Sequence, residues 1–329
     1  MKILFDVDHP FSYCHGGVQV LVENIMKHLA DFGVEVEPLR WWEKNQMADV
    51  LQLFYNPTIT ATYVKQQGVK IVNYCFLDGF TSKSKNELLM RKCLIKTFKK
   101  LFNGYAYALG WNYGEIADAH IYPSYSDMKL GSYLFNAKAD RSHVILHGID
   151  DRYFEKYDNN YKLDYLISVS TIHERKNNIL LARLAKELEI PVIFLGKPYS
   201  TEEEYYKKFL TYVDDKYVLY KGFVDETSKI TLLRQARGFI LLSKAESGCI
   251  AVLEALACGC PAFLPNLSWA RSIYKEYVEF GNLDDENLLK RQIRSFYNSP
   301  ENFIKQFPVL SWKEVSRKYL DVYEKVLSK

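Results

Sequence analysis

The chain is 329 residues long, 48% hydrophobic and 25% charged, with a net charge of +3. This is the composition of a globular protein with room for two domains, and the mild basicity permits a polyanionic partner without demanding one. No run approaches the roughly 18 apolar residues of a membrane-spanning helix.

The six cysteines are Cys14, Cys75, Cys93, Cys249, Cys258 and Cys260. They include no Cys-x-x-Cys pair and no histidine cluster completes them, which argues against a metal site and for reduced thiols in a cytoplasmic protein. Aromatic residues make up 15% of the chain, 25 of them tyrosines. That content suits stacking on sugars or bases, and a compositional habit of the source accounts for it equally well.

The opening "MKILFDVDHP" has a short apolar run broken by Asp6, so it reads as a strand and not as a signal peptide. "GGVQVLVENIMKHLADFG" follows as a glycine-led amphipathic helix, then "ADVLQLFY", "KIVNYCFL", "AHIYPS" and "SHVILHG" as strands separated by helical segments. The polar "FEKYDNNYKLD" at 154–164 reads as a linker. Beyond it "DYLISVS", "IPVIFLG", "YVLYKGF", "RGFILLS" and "PAFLP" are strands. Between them lie the helices "NNILLARLAKELE", "EEEYYKKFLTYV", "ETSKITLLRQA" and one from about Gly248 to Ala257.

Strands alternating with helices predict parallel sheets with crossover helices. The expected architecture is α/β: two doubly wound Rossmann-like domains, 1–157 and 158–310, facing a central cleft. The tail 311–329 reads as an amphipathic helix with Val315, Tyr319, Val322, Tyr323 and Val326 along one face.

The most informative stretch is "SKAESGCIAVLEALACGCP" at 243–261. Glu246 sits at the carboxyl end of a predicted strand, where open α/β sheets hold ligands. Gly248 then opens a helix whose first amides, near Ser247, Gly248 and Cys249, make an anion site. Glu254 falls in the second turn, roughly 10 Å further on, so two carboxylates bracket a phosphate-sized gap. Each suits the vicinal hydroxyls of a sugar ring. A surface helix with two solvated glutamates has the same spacing, but a charge inside the apolar "LEALACGCP" needs a partner.

In "SVSTIHERKNNILL" at 168–181, Arg175 and Lys176 stand at a strand-to-helix junction and suit a diphosphate leaving group. The bland reading makes them solvated, with Asn177 as helix cap. Gly16 and Gly17, at the first strand-to-helix turn, can bring amides against phosphate or sugar, although tight turns need glycine anyway.

These three elements, in this order, resemble the retaining nucleotide-sugar glycosyltransferases of family 4, which have the GT-B fold. The resemblance covers nearly the whole chain, with "AESGCIAVLEALACGCPAF" matching the E-x7-E signature and "SWKEVSRKYLDVYEKVL" the terminal helix that crosses back to the first domain. It implies that Glu246 binds donor-sugar hydroxyls, that the amides of Ser247, Gly248 and Cys249 meet sugar or diphosphate, and that Glu254 binds ribose. Lys176 would neutralise the β-phosphate, Gly17 would meet it from the opposing domain, and Gly222 and Phe223 would border the nucleobase. Gly16, Gly196, Lys197 and Arg175 complete the donor-binding set.

Three positions depart from the family. Ser170 and Thr171 stand where it commonly has glycine and arginine, so Arg175 or Lys197 is the substitute positive charge. The first-domain histidine is missing. Leu77 and Asp78 occupy its neighbourhood, which leaves Asp78, His9 or His15 for sugar contact; Asp78 is counted with Glu246 and Lys176 as catalytic.

No metal-binding DxD motif is present, since Asp6-Val-Asp8 lies at the end of the first strand. The resemblance implies transfer without metal or cofactor, the nucleotide sugar being a co-substrate. The acceptor is a glycan or lipid-linked glycan first and modified DNA second. The rival readings are a GT-B sugar-nucleotide epimerase and a non-catalytic sugar-nucleotide or nucleic-acid binding module.

Segment 83–102, "KSKNELLMRKCLIKTFKKLF", carries seven cations against Glu87, with Leu88, Leu94, Ile95, Phe98, Leu101 and Phe102 at near-helical spacing. It reads as a basic amphipathic helix for anionic lipid or nucleic-acid phosphates, or as the solvated face of a crossover helix. The location expected is cytoplasmic, at the membrane periphery if that helix meets lipid.

Overall fold

The computed structural model describes residues 1–12, 16–57, 59–155, 162–303 and 305–329. Cys14 and His15 lie outside the described residues, as do 156–161 of the expected linker with the domain boundary placed at 157/158. The chain divides into two compact units: Met1–Gly148 with Leu310–Lys329, and Ile149–Val309.

The first unit is built on six parallel strands in the order β2-β1-β3-β4-β5-β6. They are β1 (Lys2–Asp6), β2 (Glu35–Pro38), β3 (Val50–Leu53), β4 (Lys70–Tyr74), β5 (Ala119–Tyr122) and β6 (Ser142–Val144). β3 and β5 are buried at every position, as strands covered on both faces must be. β2 was not legible. It is an edge strand whose Glu35 and Glu37 break the apolar pattern, and Lys2 Nζ holds both carboxylates, at 2.6 and 2.7 Å.

Helix α1 (Gly17–Ala30) buries Leu21, Val22, Ile25 and Leu29, a single stripe at helical spacing. The remaining helices are α2 (Ile59–Gln66), α3 (Asp78–Thr81), α4 (Lys85–Leu101), α5 (Asn103–Ala108), α6 (Tyr113–Ile116) and α7 (Tyr125–Phe135). A two-residue strand, β7 (Gly148–Ile149), marks the division between the units. After β14 (Leu310–Ser311), helix α14 (Trp312–Leu327) returns to this unit and packs on α1 and β4. All five residues of its expected face are buried. Ser311 and Glu314 form a capping box that starts it.

The second unit has six parallel strands in the order β10-β9-β8-β11-β12-β13. They are β8 (Leu163–Val169), β9 (Val192–Leu195), β10 (Val218–Gly222), β11 (Ala236–Ile240), β12 (Ala262–Pro265) and β13 (Glu279–Gly281). Counted within the unit this is 3-2-1-4-5-6, the dinucleotide-fold order whose switch point lies between the first and fourth strands, here β8 and β11. The crossovers are α8 (Asn178–Leu188), α9 (Glu204–Leu210), α10 (Glu226–Gln235), α11 (Ile250–Ala257) and α12 (Ser268–Tyr274), and α13 (Glu286–Asn298) follows the last strand. Leu181, Ala182, Leu184, Ala185 and Leu188 turn α8 into a core cluster with Phe194, Phe209 and Phe263.

Two expectations about helix starts need correction. α11 begins at Ile250 and not at Gly248. Gly248 has φ of +79°, a left-handed conformation that ends the preceding turn and cannot enter a right-handed helix. Asn177 occupies the N-cap of α8 but makes no side-chain cap bond. Its neighbour Asn178 ties the turn instead, accepting from His173 N at 3.1 Å and donating to Ser170 Oγ at 3.0 Å.

Candidate functional site

The loops leaving β8 and β11 meet at the switch point of the second unit. Lys244 N donates to Arg175 O at 2.8 Å, and Arg175 Nη1 returns a bond to Ala245 O at 2.6 Å. These reciprocal bonds fix the turn after β11 against the short 3-10 helix Glu174–Lys176. They aim Glu246 at the cations. Lys176 Nζ lies 2.5 Å from Glu246 Oε1, and Arg175 Nη1 lies 3.3 Å from Oε2.

Glu246 is only 6% exposed. Burial opposes its charge and is the largest single influence, but Lys176 and Arg175 together outweigh it and hold the carboxyl below the ordinary glutamate value. A buried, ionised acceptor beside two cations at a strand-end crevice can take hydroxyl donors from a polyol while the cations face an anion. The next turn, Ser247 to Cys249, leads into α11, and Tyr274 donates its hydroxyl to Cys249 O at 3.2 Å to hold it. Burial pushes the Cys249 thiol up to about 12, so it stays neutral.

Glu254, 7% exposed, has a separate partner that the sequence reading did not name. Lys229, from α10, reaches Glu254 Oε1 at 2.9 Å and Glu226 Oε1 at 3.0 Å. Tyr153 donates its hydroxyl to Glu226, and Lys229 stands 5.5 Å above the Tyr153 ring centroid. One cation thus serves two acids, and burial pushes the Glu254 carboxyl up from its usual value despite Lys229. The signal for Lys229 was the rule that a charge in an apolar helix needs a partner; which lysine supplies it depends on α10 lying beside α11.

Other predicted residues fall into distinct places. Gly196, at φ +134°, has no room for a side chain, because a Cβ there would lie 2.0 Å from Ser170 O. Its physical duty is close backbone packing between the turns after β8 and β9. Lys197 Nζ stands 4.6 Å over the Phe223 ring, which is 71% exposed. Gly222 takes φ of +64° with open space at its Cβ position. Of the two substitutes for the missing arginine, Arg175 is tied to the Glu246 loop and Lys197 to Phe223.

Gly16, Gly17 and Asp78 belong to the first unit. Gly16 is extended, with φ of 166°, and Gly17 begins α1. Asp78 opens α3 after β4 and is half-buried. At the ends of β1 and β3, Tyr55 donates its hydroxyl to the buried Asp6 at 2.5 Å, while His9 Nδ1 lies 2.5 Å from Asp8 Oδ1.

Residues 150–306 match the family model described as glycosyl transferases group 1. No curated protein matches the chain. Among solved structures, a glycosyltransferase from Rickettsia africae is similar with a TM-score of 0.72 at 13% identity, covering 100% of this chain and 99% of its own. Sucrose-phosphate synthase from Thermosynechococcus elongatus is similar with a TM-score of 0.71 at 12% identity, covering 100% of both chains. HepE from Anabaena, in complex with UDP and glucose, has a TM-score of 0.64 at 13% identity, covering 100% of this chain and 98% of its own.

The fold is GT-B. In GT-B terms the switch point just described is that of the second Rossmann-like unit, and the family match spans it. Arg175, Lys176, Glu246 and the 247–249 turn come together there, whereas Glu254 is held in its own Lys229–Glu226–Tyr153 cluster. No helix among the described residues is long and apolar enough to cross a membrane.

Proposed function

We propose that this chain is a retaining glycosyltransferase of the E-x7-E kind, moving a sugar from a nucleotide-diphosphate sugar to an acceptor hydroxyl. The observation that carries the reading is the buried Glu246 carboxylate, paired with Lys176 and Arg175 at the switch point of the second unit. The group 1 match over that unit supports it, as does a similar fold seen with UDP-glucose in HepE.

In this reading Glu246 accepts from donor-sugar hydroxyls, and the amides of Ser247, Gly248 and Cys249 meet the diphosphate. Glu254 takes the ribose, and the Gly222–Phe223 turn with Lys197 borders the base. The bond between the anomeric carbon and the β-phosphate oxygen breaks as the acceptor oxygen bonds on the same face. The acceptor proton passes to the departing phosphate, and Lys176 neutralises the charge that develops. Positioning and fixed cations supply the rate, with no metal or cofactor invoked. Gly16, Gly17 and Asp78 enter through the family resemblance alone. The acceptor is a glycan or lipid-linked glycan, and the reaction is cytoplasmic.

A thermal-shift screen of nucleotide sugars identifies the donor, because a ligand bound only by the folded state raises apparent stability. Release of nucleoside diphosphate with an acceptor pool then measures transfer. Glu246→Gln, which keeps the shape of the side chain, is expected to lose about a hundredfold or more in turnover. Near-normal turnover in that variant overturns the site. Conversion of the donor to an isomer without any acceptor overturns transfer.

A further inference from the structure

Helix α4 has two apolar faces and packs only one of them. Leu88, Ile95 and Phe98 turn inward, onto a core that holds Cys75, Tyr113 and Phe135 and against the Trp111 ring. The expected single stripe is therefore divided, because Leu94 and Leu101 point away with Met90, and the three are 55%, 65% and 60% exposed. At 3.6 residues per turn these three share an arc of about 40°. Phe102 and Tyr105 extend the exposed apolar surface past the helix end.

The charge around this stripe has one sign. At the same 3.6 residues per turn, Lys100 and Arg91 lie on its two sides, about 100° and 80° from its centre, with Lys96 and Lys85 further round toward the opposite face, and all four are exposed. The single acid of the helix, Glu87, is used in the capping box with Ser84 and in a pair with Lys83. Further round the helix from the stripe, a groove runs between α4 and α7, lined by Leu88, Leu89 and Leu130 together with Lys85 and Lys129.

We propose that the outer face of α4 is a docking surface for an anionic lipid bilayer. Met90, Leu94 and Leu101 enter the headgroup–acyl boundary, and Arg91 and Lys100 meet lipid phosphates. Apolar side chains in the middle with cations at the margins match a bilayer interface in cross-section. A nucleic-acid duplex matches the cations but offers the apolar centre only charged backbone. The inference goes beyond sugar transfer and stands without it.

The test uses the full chain with phosphatidylcholine vesicles, with and without a third of phosphatidylglycerol, in a flotation assay. Binding is expected on the anionic vesicles at low salt and weakly on phosphatidylcholine alone. Leu94→Glu, at an exposed position that the fold does not use, is expected to cut the bound fraction at least about tenfold. Arg91→Glu with Lys100→Glu is expected to do the same. A labelled DNA duplex is the competitor and is expected not to displace the vesicles.

Absence of wild-type binding, equal partition onto the two vesicle types, or indifference to Leu94→Glu each overturns the proposal. Displacement by duplex moves the surface to nucleic acid and overturns it too. Nucleotide-sugar thermal shifts on the same variants are expected to be unchanged, so a failure here is distinct from a failure of the donor site.

Discussion

Lys176 Nζ and Glu246 Oε1 lie 2.5 Å apart although 70 positions separate them in the chain. The pair exists because β8 and β11 are neighbours in the sheet. Lys176→Met leaves a buried carboxylate with Arg175 as its one close cation. A broken buried pair costs about 3–5 kcal/mol, and the remaining Arg175 brings the expectation to about 2–3 kcal/mol by urea denaturation. Adding Glu246→Gln to that variant is expected to restore part of the loss. Additive losses in the double variant would show that the two side chains are not coupled.

The same pair sets a pH dependence. The folded-state Glu246 carboxyl lies below its ordinary value of 4.5. Its contribution is therefore complete above that value and is lost only as the pH falls through the folded value. Stability of the wild type relative to Glu246→Gln is expected to be flat from neutral pH down to about 5 and to shrink below. A difference that grew on acidification would contradict the assignment.

Gly196 and Gly222 separate backbone strain from collision. Both have positive φ, +134° and +64°, but a Cβ at Gly196 meets Ser170 O at 2.0 Å while one at Gly222 meets nothing within 4 Å. Gly222→Ala is expected to cost about 1 kcal/mol, the left-handed penalty alone. Gly196→Ala adds displacement of the turn after β8, for about 3 kcal/mol or more. Denaturation midpoints of the two variants measure the difference, and equal costs would remove the packing role given to Gly196.

Much of this architecture was legible because parallel strands buried on both faces announce themselves as apolar runs, as β3, β9 and β12 do. β2 and β13 escaped: the first carries alternating glutamates on an edge, and the second is only three residues long. α13 carried a readable signal in Leu289, Ile293 and Phe296, one stripe of buried residues at helical spacing. At the site, Glu246, Glu254, Arg175 and Lys176 were visible as residue types at strand ends. The pairing of Glu254 with Lys229 was not, because it depends on which crossover helices are adjacent. The division of α4 into a packed and an exposed face likewise depends on where α7 lies.

Asp127 offers a second pH test, in the first unit. It sits in the first turn of α7, accepts a hydrogen bond from Ser124 and is buried. Burial, with the nearby Asp78 as a lesser influence, pushes its carboxyl up to about 6 from 3.8. A carboxyl raised on folding binds an extra proton in the folded state, so stability declines as the pH rises between those values. Asp127→Asn keeps the acceptor oxygen for Ser124 and removes the charge. It is expected to stabilise at pH 7 by up to about 3 kcal/mol, from about two pKa units at 1.36 kcal/mol each. The gain is expected to disappear below about pH 4. Melting temperatures at pH 4 and pH 8 check the sign, and a variant less stable at pH 8 would refute it.

Tyr323 tests how α14 is joined to the sheet. Its hydroxyl donates to Gln52 Oε1 at 2.9 Å, and both residues are wholly buried. Gln52 spends its amide on Leu53 O at 3.0 Å, so its side-chain oxygen depends on Tyr323. Tyr323→Phe removes the donor and leaves that oxygen desolvated, at an expected cost of about 1–3 kcal/mol. The asymmetry of buried hydrogen bonds gives a sharper check. Replacing both groups, Tyr323→Phe with Gln52→Leu, removes donor and acceptor together and is expected to be less destabilising than Tyr323→Phe alone. A double variant weaker than the single one would mean that β3 needs the glutamine for its own chain and not for α14.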